Sequence, residues 1–386
     1  MVCEVVFWTL RPSTVVSALQ LYNETLFCQP LVSLVATMAL ISILISFVVA
    51  ATSLTTRTIS TGHTFAEGPS WSTTDGVLYF SDAGAKELWR WTASSGVAEE
   101  LFSRPTNGVI GTHVAGAGTV WFASAVGVET INVTSGVWST LATSPLPNAN
   151  DLAVQNDGSL YFSVPEYDAI YFQTPGASPG VFYSATTPPS SWNSANSFLN
   201  GVALSPDEGT LYQSDSTTGW VVAFDTKSAS GATLSKGTNR RNFANAGSGA
   251  DGMAVHSTSG WLFVATNAGV RIYDDQGALK QSISVPGNKA TNVALGSRGG
   301  FEYLYVTLPS SVIEVELTTA YIGPPLAGYN GGQAPSPPDG GAPSPPDDGG
   351  ASLAVGAIVG IAVGGGVGLL VAAVLMCYCR KKRASA

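Results

Sequence analysis

Residues 76–82 read GVLYFSD, a glycine turn followed by an aromatic-rich run, and variants of this unit recur along the chain. The variants are GTVWFAS at 118–124, GSLYFSV at 158–164, GTLYQSD at 209–215, GWLFVAT at 260–266 and EYLYVTL at 302–308. Successive units begin 42, 40, 51, 51 and 42 residues apart. A four-stranded propeller blade needs about 40–50 residues, and each unit supplies a strand, a polar turn and a second strand. The six units therefore predict an all-β, six-bladed β-propeller over residues 55–321.

Composition excludes one broad class of partner. The 386-residue chain has 17 Lys and Arg against 26 Asp and Glu, a formal net charge of −9, and no basic patch interleaved with aromatic residues. Binding to nucleic acid needs such a patch, so no nucleic-acid partner is expected.

Two long uncharged segments lie near the ends of the chain. The first, Leu31–Ala51, is long enough to span a bilayer. Residues 1–52 are therefore expected to form a secretory signal or a signal-anchor. The Val-Ala-Ala at the end of the segment resembles a signal-peptidase site, and both a cleaved and a retained segment fit the pattern.

The second uncharged segment, residues 353–379, is predicted to be a transmembrane helix because the basic tail 380–386 follows it at once. The positive-inside rule places this tail in the cytosol, so we expect a single-pass membrane protein with an extracellular or lumenal propeller. Residues 322–352 are rich in Pro and Gly and are expected to form a solvated stalk. Glycine at every fourth position on one face of the helix would let two such helices approach closely as a homodimer, and the general frequency of glycine in membrane helices explains the pattern equally well. These glycines are Gly356, Gly360, Gly364 and Gly368.

The cysteine content and one sequon agree with this topology. All four cysteines lie outside the predicted propeller, so neither a disulfide framework nor a cysteine metal site is expected within it. Asn132 begins the sequence Asn-Val-Thr, which predicts N-glycosylation of an extracytoplasmic domain.

An oxygen-bearing side chain stands near the start of every predicted inner strand, at one mouth of the central channel. Counting back eight to eleven residues from each unit finds Glu67, Asn107, Asn150, Asn200, Asp251 and Asn292. Asn and Asp also begin turns, but Glu is a poor turn former and all six side chains converge on one axis. Carboxylates with amide oxygens, and neither His nor Cys, form a hard-oxygen site that prefers Ca²⁺, with Mg²⁺ or Mn²⁺ as alternatives.

Several stretches resemble, in order, the blades of the gluconolactonase/regucalcin/luciferin-regenerating-enzyme family. They are FAEGPSW with LYFSD, NANDLAVQNDGSLYFSVPEY, NGVALSPDEGTLYQSD and ADGMAVHSTSGWLFVATNAGVRIYDDQG. The resemblance runs from about Thr61 to Glu316 and implies a six-bladed propeller with one divalent metal in its channel. The metal ligands that it implies are Glu67, Asn150, Asn200 and Asp251.

The resemblance also implies metal-assisted hydrolysis of lactones or related esters. Asp251 is expected to act as base or nucleophile, with its carboxylate neighbour Asp151 assisting. Asn148 stands where some members carry a substrate-binding Arg, so this position does not imply a sugar lactone. The remaining residues expected to contact substrate are Asn107, Asn292 and, at the rim, His63.

Two other classes of propeller protein are alternatives to this interpretation. The stalk, the glycine-striped helix and the short tail also suit a non-catalytic, metal-stabilised propeller that acts as a cell-surface binding or receptor module. A strictosidine-synthase-like propeller is disfavoured because the set of Glu and Asn/Asp metal ligands is complete. The Gly-x-Ser-x-Gly match at residues 176–180 is set aside because Pro179 has no N–H for an oxyanion hole.

Overall fold

Six four-stranded antiparallel sheets form the blades of a propeller, which confirms the all-β, six-bladed fold. The computed structural model describes residues 6–8, 54–104, 106–116, 118–143, 148–184, 197–326 and 372–374. Strands that follow one another along the chain are neighbours in each sheet, because short hairpins join them. The strands are given from the inner to the outer one. Blade 1 comprises Ala66–Ser72, Val77–Asp82, Glu87–Thr92 and Val97–Ser103, and blade 2 comprises Thr112–Gly116, Thr119–Ser124, Gly127–Asn132 and Val137–Thr143. Blade 3 comprises Leu152–Val154, Leu160–Val164, Ala169–Gln173 and Gly180–Ser184, and blade 4 comprises Leu199–Leu204, Thr210–Asp215, Trp220–Lys227 and Thr233–Asn245. Blade 5 comprises Met253–Val255, Leu262–Thr266, Gly269–Tyr273 and Leu279–Ile283, and blade 6 comprises Asn292–Arg298, Phe301–Leu308, Ser311–Leu317 and Thr55–Thr61.

Blade 6 closes the ring by combining the two ends of the propeller. Its three inner strands come last in the chain, whereas its outer strand, Thr55–Thr61, comes first and pairs antiparallel with Ser311–Leu317. Arg57 of the outer strand donates to Glu314 at 3.0 Å across this pair. This strand pairing ties the start of the propeller to its last blade. No disulfide among the described residues contributes to the closure.

Each interface between adjacent blades contains one cluster of buried apolar side chains, so the core is a ring of six clusters. The aromatic residues of the repeated unit supply much of it, as expected: Tyr161 is fully buried between blades 3 and 4. Between blades 6 and 1, the rings of Trp71 and Tyr305 stack with centroids 5.0 Å apart. Burial of these large rings between adjacent blades stabilises the ring.

Both ends of the propeller leave from the face opposite the channel mouth. Thr61 lies at the mouth end, because the N–H of the next residue, Gly62, donates to Ser310 at 3.0 Å beside the start of blade 1. Thr55, at the other end of that strand, pairs with Glu316 on the far face. After blade 6 the chain forms a short helix, Thr319–Ile322, and the N–H of Leu326 then donates to Thr258 at 3.0 Å. The first residues of the predicted stalk thus pack on blade 5 instead of extending into solvent.

The chain divides into two compact units, Thr52–Gly341 and Met1–Ala51 with Ala342–Ala386. In the second unit the described residues are an antiparallel pair of three-residue strands, 6–8 and 372–374. Residues 372–374 fall within the predicted transmembrane helix, and the structure has a strand there instead because its backbone pairs with 6–8. The remainder of both uncharged segments, most of the stalk and the basic tail lie outside the described residues. Within the described ranges, no helix is long and apolar enough to cross a membrane.

Candidate functional site

One backbone position is equivalent in all six blades: the residue that faces the sixth residue of the repeated unit across the two inner strands. In blade 1 this residue is Glu67, which pairs with Ser81. In blades 1 to 6 the position is held by Glu67, Ile110, Asn150, Asn200, Asp251 and Asn292. Blades 1, 3, 4 and 5 therefore bring the four implied metal ligands to one level of the channel mouth.

One residue found by counting is not at this position. Asn107 lies in the loop before the inner strand of blade 2, where its amide faces Glu129 Oε2 at 3.5 Å, and Ile110 takes the expected place. Asn292 keeps the expected place in blade 6, where it pairs with Thr307. The prediction of six equivalent oxygen side chains was wrong for blade 2, because the hairpin between the inner strands varies in length. Cross-strand pairing, and not distance from the repeat, sets the equivalence.

The residue after each candidate ligand brings adjacent blades into close approach. A Cβ on Gly201 would collide with the carbonyl oxygen of Asp251 and lie 2.8 Å from the Cα of Gly252. A Cβ on Gly252 would collide with the side chain of Asn292. Glycine is therefore required here by packing around the channel, and the Asn-Gly and Asp-Gly pairs are not turn residues as their sequence suggests.

Three carboxyl groups at the mouth have a raised pKa, chiefly because they are buried. Burial raises the pKa of Glu67 from 4.5 to about 7, and the neighbouring charge of Asp151 adds to the rise. Burial and the charges of Glu67 and Asp151 raise the pKa of Asp251 well above its ordinary value. Hydrogen bonds from the Gly68 N–H and the Asn292 side chain to Glu67 oppose the effect. Without a cation, like-charge repulsion and desolvation therefore favour the protonated carboxyls.

Asp151 ties blade 3 to blade 4 as well as contributing charge. Its Oδ1 accepts the N–H of Leu152 at 3.0 Å and its Oδ2 accepts the N–H of Val202 at 3.1 Å. Burial nevertheless raises the pKa of Asp151 to about 7. Through these hydrogen bonds Asp151 positions the inner strands of blades 3 and 4 around the site, and its expected assistance to Asp251 stays a prediction.

The four candidate ligands have the free acceptor capacity that a hard cation requires. The amide nitrogen of Asn200 donates to Ser216 Oγ at 3.0 Å, and its Oδ1 has no donor among the described residues. No Lys, Arg or His forms an ion pair with Glu67 or Asp251 in the described part of the chain. No group of three or more His, Cys, Asp or Glu side chains suited to a metal occurs in the described ranges, and the expected set contains only two such residues beside two amides. The residues present fit a hard divalent cation bound by carboxylate and amide oxygens.

Behind these residues the inner strands of all six blades enclose a channel of about 370 Å³. Asp151, Asn292 and the imidazole of His113 are among its lining residues. Burial lowers the pKa of His113 to about 4, so this ring is neutral at pH 7. A substrate that approaches the mouth meets the carboxylates of blades 1 and 5 before this channel.

Lys289 is a residue of the mouth that the sequence analysis missed. It is exposed on the segment before blade 6, and its positive charge opposes the raised pKa of both Glu67 and Asp251. No motif marks it, since it is far from both carboxylates in sequence.

His63 is not at the substrate rim as expected. It is buried edge-on against Phe80 and Trp89, its Nε2 lies 2.7 Å from Ser60 Oγ, and its Nδ1 lies 3.6 Å from Asp82 Oδ2. Asp82 also accepts the N–H groups that shape the start of blade 1. The side chains contact one another in the order Ser, His, Asp, as in the triads of serine hydrolases. Ser60 is only 8% exposed, however, so its hydroxyl is not presented to a substrate. The three side chains form a buried link between the closing strand and blade 1.

The other predicted residues lie at the surface. Asn148 is at the rim, where its amide donates to Glu166 at 3.0 Å and so links two loops of blade 3. Asn132 is exposed on an outer hairpin of blade 2, with its Oδ1 accepting the N–H of Ser135 at 2.8 Å. Its glycosylation stays a prediction.

Comparisons with known proteins agree with this architecture. A family model described as the SMP-30/Gluconolactonase/LRE-like region matches residues 65–310. A gluconolactonase of Zymomonas mobilis is 26% identical over 296 residues, which cover 66% of this chain and 79% of that protein. A gluconolactonase structure from Xanthomonas campestris has a TM-score of 0.58 at 21% identity, covering 69% of this chain and 91% of that chain. A calcium-binding regucalcin from Agrobacterium tumefaciens has a TM-score of 0.58 at 18% identity, covering 68% and 94%.

The two solved structures share the propeller fold with this protein. The family model is the stronger finding, because it spans nearly all of the blades and includes the four residues at the channel mouth. The chain therefore belongs to the SMP-30/gluconolactonase/LRE-like family.

Proposed function

We propose that this protein is a divalent-metal-dependent hydrolase of lactones or related esters. The observation that carries the proposal is the convergence of Glu67, Asn150, Asn200 and Asp251 at one level of the channel mouth. The name of the Zymomonas mobilis relative supports a lactone as the substrate class. Ca²⁺ is the expected cation because all four donors are hard oxygens.

A bound cation supplies Lewis-acid polarisation of the ester carbonyl. The chain's own residues hold and orient the reacting groups around it. The carboxylate of Asp251, one of the groups that would hold the cation, is suited to accept a proton from water or to attack as nucleophile. Asp151 fixes the strands of blades 3 and 4 beside it, and Asn292 holds the Glu67 carboxylate by a hydrogen bond.

We further propose that the propeller is displayed outside the cytosol on a C-terminal membrane anchor. The uncharged segment 353–379 and the basic tail support the anchor. The exit of both propeller ends from the far face supports it too, since a tether there leaves the channel mouth open to solvent. A binding or receptor module is the alternative that such a display also favours.

Turnover of a panel of lactones and aryl esters by the full chain, with Ca²⁺ and with chelator, tests the proposed function. We expect Ca²⁺-dependent hydrolysis, and Asp251→Asn should abolish it. The matched control is Asp225→Asn, because Asp225 forms an exposed ion pair with Arg241 at 2.7 Å between the two outer strands of blade 4. Metal-dependent thermal stabilisation without any turnover would refute the enzyme and support the binding module.

A further inference from the structure

The backbone around Lys289 is fixed at the channel mouth. On one side, the N–H of Asn288 closes a turn on the carbonyl of Val285 at 3.0 Å. On the other side, the N–H of Ala290 donates to Thr266 at 3.0 Å, and Ala290 itself is buried. The Lys289 side chain therefore leaves the protein from a defined point beside the inner strand of blade 6.

The ammonium group of Lys289 lies at the rim of the mouth, against the segment that leads into the neighbouring blade 1. Its Nζ lies 5.3 Å from the centre of the Phe65 ring, a cation–π contact two residues before Glu67. The same charge acts on the carboxyl groups of Glu67 and Asp251. A flexible side chain is thus held beside the entrance by an aromatic face.

Lys289 has no carboxylate partner of its own. The described residues form eight ion pairs, and Lys289 is in none of them. Arg104 on the loop before blade 2 is, by contrast, paired with Glu129. If a divalent cation neutralises Glu67 and Asp251, the charge of Lys289 is left to face an approaching ligand. This positive group stands out on a chain with a formal net charge of −9.

We propose that Lys289 binds an anionic group, a carboxylate or a phosphate, on the substrate at a distance from the ester that is cleaved. The inference rests on the proposed lactonase function and narrows its substrate to lactones that carry a second, acidic substituent. An ammonium is a compact point charge with three donors, which suits either anion. Lys289 is a specificity residue in this proposal and takes no part in the bond-breaking step.

The test compares a neutral lactone with the same ring bearing a carboxylate and, in a third arm, a phosphate. With the full chain and Ca²⁺, Lys289→Gln should lower the ratio of kcat/KM for the acidic over the neutral lactone about 10-fold, mainly through KM. Lys289→Arg should retain most of the preference. The control is Lys280→Gln, which removes the same charge from an outer strand of blade 5, where Lys280 pairs with Asp274 at 2.7 Å, and should leave the ratio at the wild-type value.

A second readout does not depend on turnover. Calorimetry with the hydrolysed acidic product should show about 10-fold weaker binding to Lys289→Gln than to wild type. The arm with the larger change, carboxylate or phosphate, identifies the anion. Equal ratios and equal product affinities in wild type and Lys289→Gln would overturn the inference while the lactonase function stands. If the wild type hydrolyses none of the three lactones, the proposed function fails, and the calorimetric comparison alone decides the role of Lys289.

Discussion

Replacing Glu67 by Gln should stabilise the metal-free protein at neutral and alkaline pH. The pKa of Glu67 is raised from 4.5 to about 7 in the folded protein, so the folded state binds this proton more tightly than the unfolded chain does. The carboxyl group is therefore neutral in both states below pH 4.5 and costs nothing there. As the pH rises from 4.5 through about 7, the folded state is progressively destabilised, and the full cost is present above pH 7.

The magnitude follows from the size of this rise. Each pKa unit is worth about 1.4 kcal/mol, so ionised Glu67 costs the metal-free fold about 3 kcal/mol. Glutamine keeps the shape and an acceptor oxygen but carries no charge, and it also removes repulsion from Asp251. In chelator, the free energy of unfolding of Glu67→Gln should exceed that of wild type by about 3 kcal/mol at pH 8 and by roughly nothing at pH 4.

Denaturant unfolding at a series of pH values in chelator measures this difference. The difference between the two proteins cancels groups such as His63, whose pKa is lowered by burial and whose effect on stability has the opposite sign. Glu99→Gln is the control, because Glu99 pairs with Arg90 at the surface and its side chain is 52% exposed. A pH-independent difference between Glu67→Gln and wild type from pH 4 to 8 would refute the electrostatic reasoning.

Three other outcomes are expected. Excess Ca²⁺ should raise the free energy of unfolding of wild type at pH 8, by about 2.7 kcal/mol when the Ca²⁺ concentration is 100 times Kd. The gain should be smaller for Glu67→Gln, and equal gains would place the cation elsewhere. Gly201→Ala should lower the free energy of unfolding by about 1–3 kcal/mol because its Cβ would collide with the Asp251 carbonyl, whereas Gly180→Ala, which has open space around it, should not. Ser60→Ala should lower the free energy of unfolding by about 1–3 kcal/mol, because a buried nitrogen of His63 loses its hydrogen-bond partner. Denaturant unfolding measures this change, and unchanged stability would show that the link is dispensable.

Local pairing explains why the fold could be predicted from the sequence. Each blade is a run of hairpins between neighbours in the chain, so the unit GVLYFSD and its variants carry the pattern of inner strands without reference to distant residues. Glu67, Asn150, Asn200 and Asp251 could be proposed because each precedes such a unit and matches a family motif. Asn107 was assigned wrongly because hairpin length is not constant between blades, and only backbone pairing showed Ile110 in its place.

The sequence by itself determined the number of blades, the class of fold and the oxygen-rich set at the channel mouth, because these follow from short-range patterns repeated along the chain. Only the tertiary structure decided which side chains meet across blades. It buried His63 between Ser60 and Asp82, and it brought Lys289 near Glu67 through closure of the ring. It also showed that Gly201 is required by the carbonyl of a neighbouring blade. The physical reason is that contacts around a propeller axis join residues from separate blades, and no local spacing in the sequence records which of them will be adjacent.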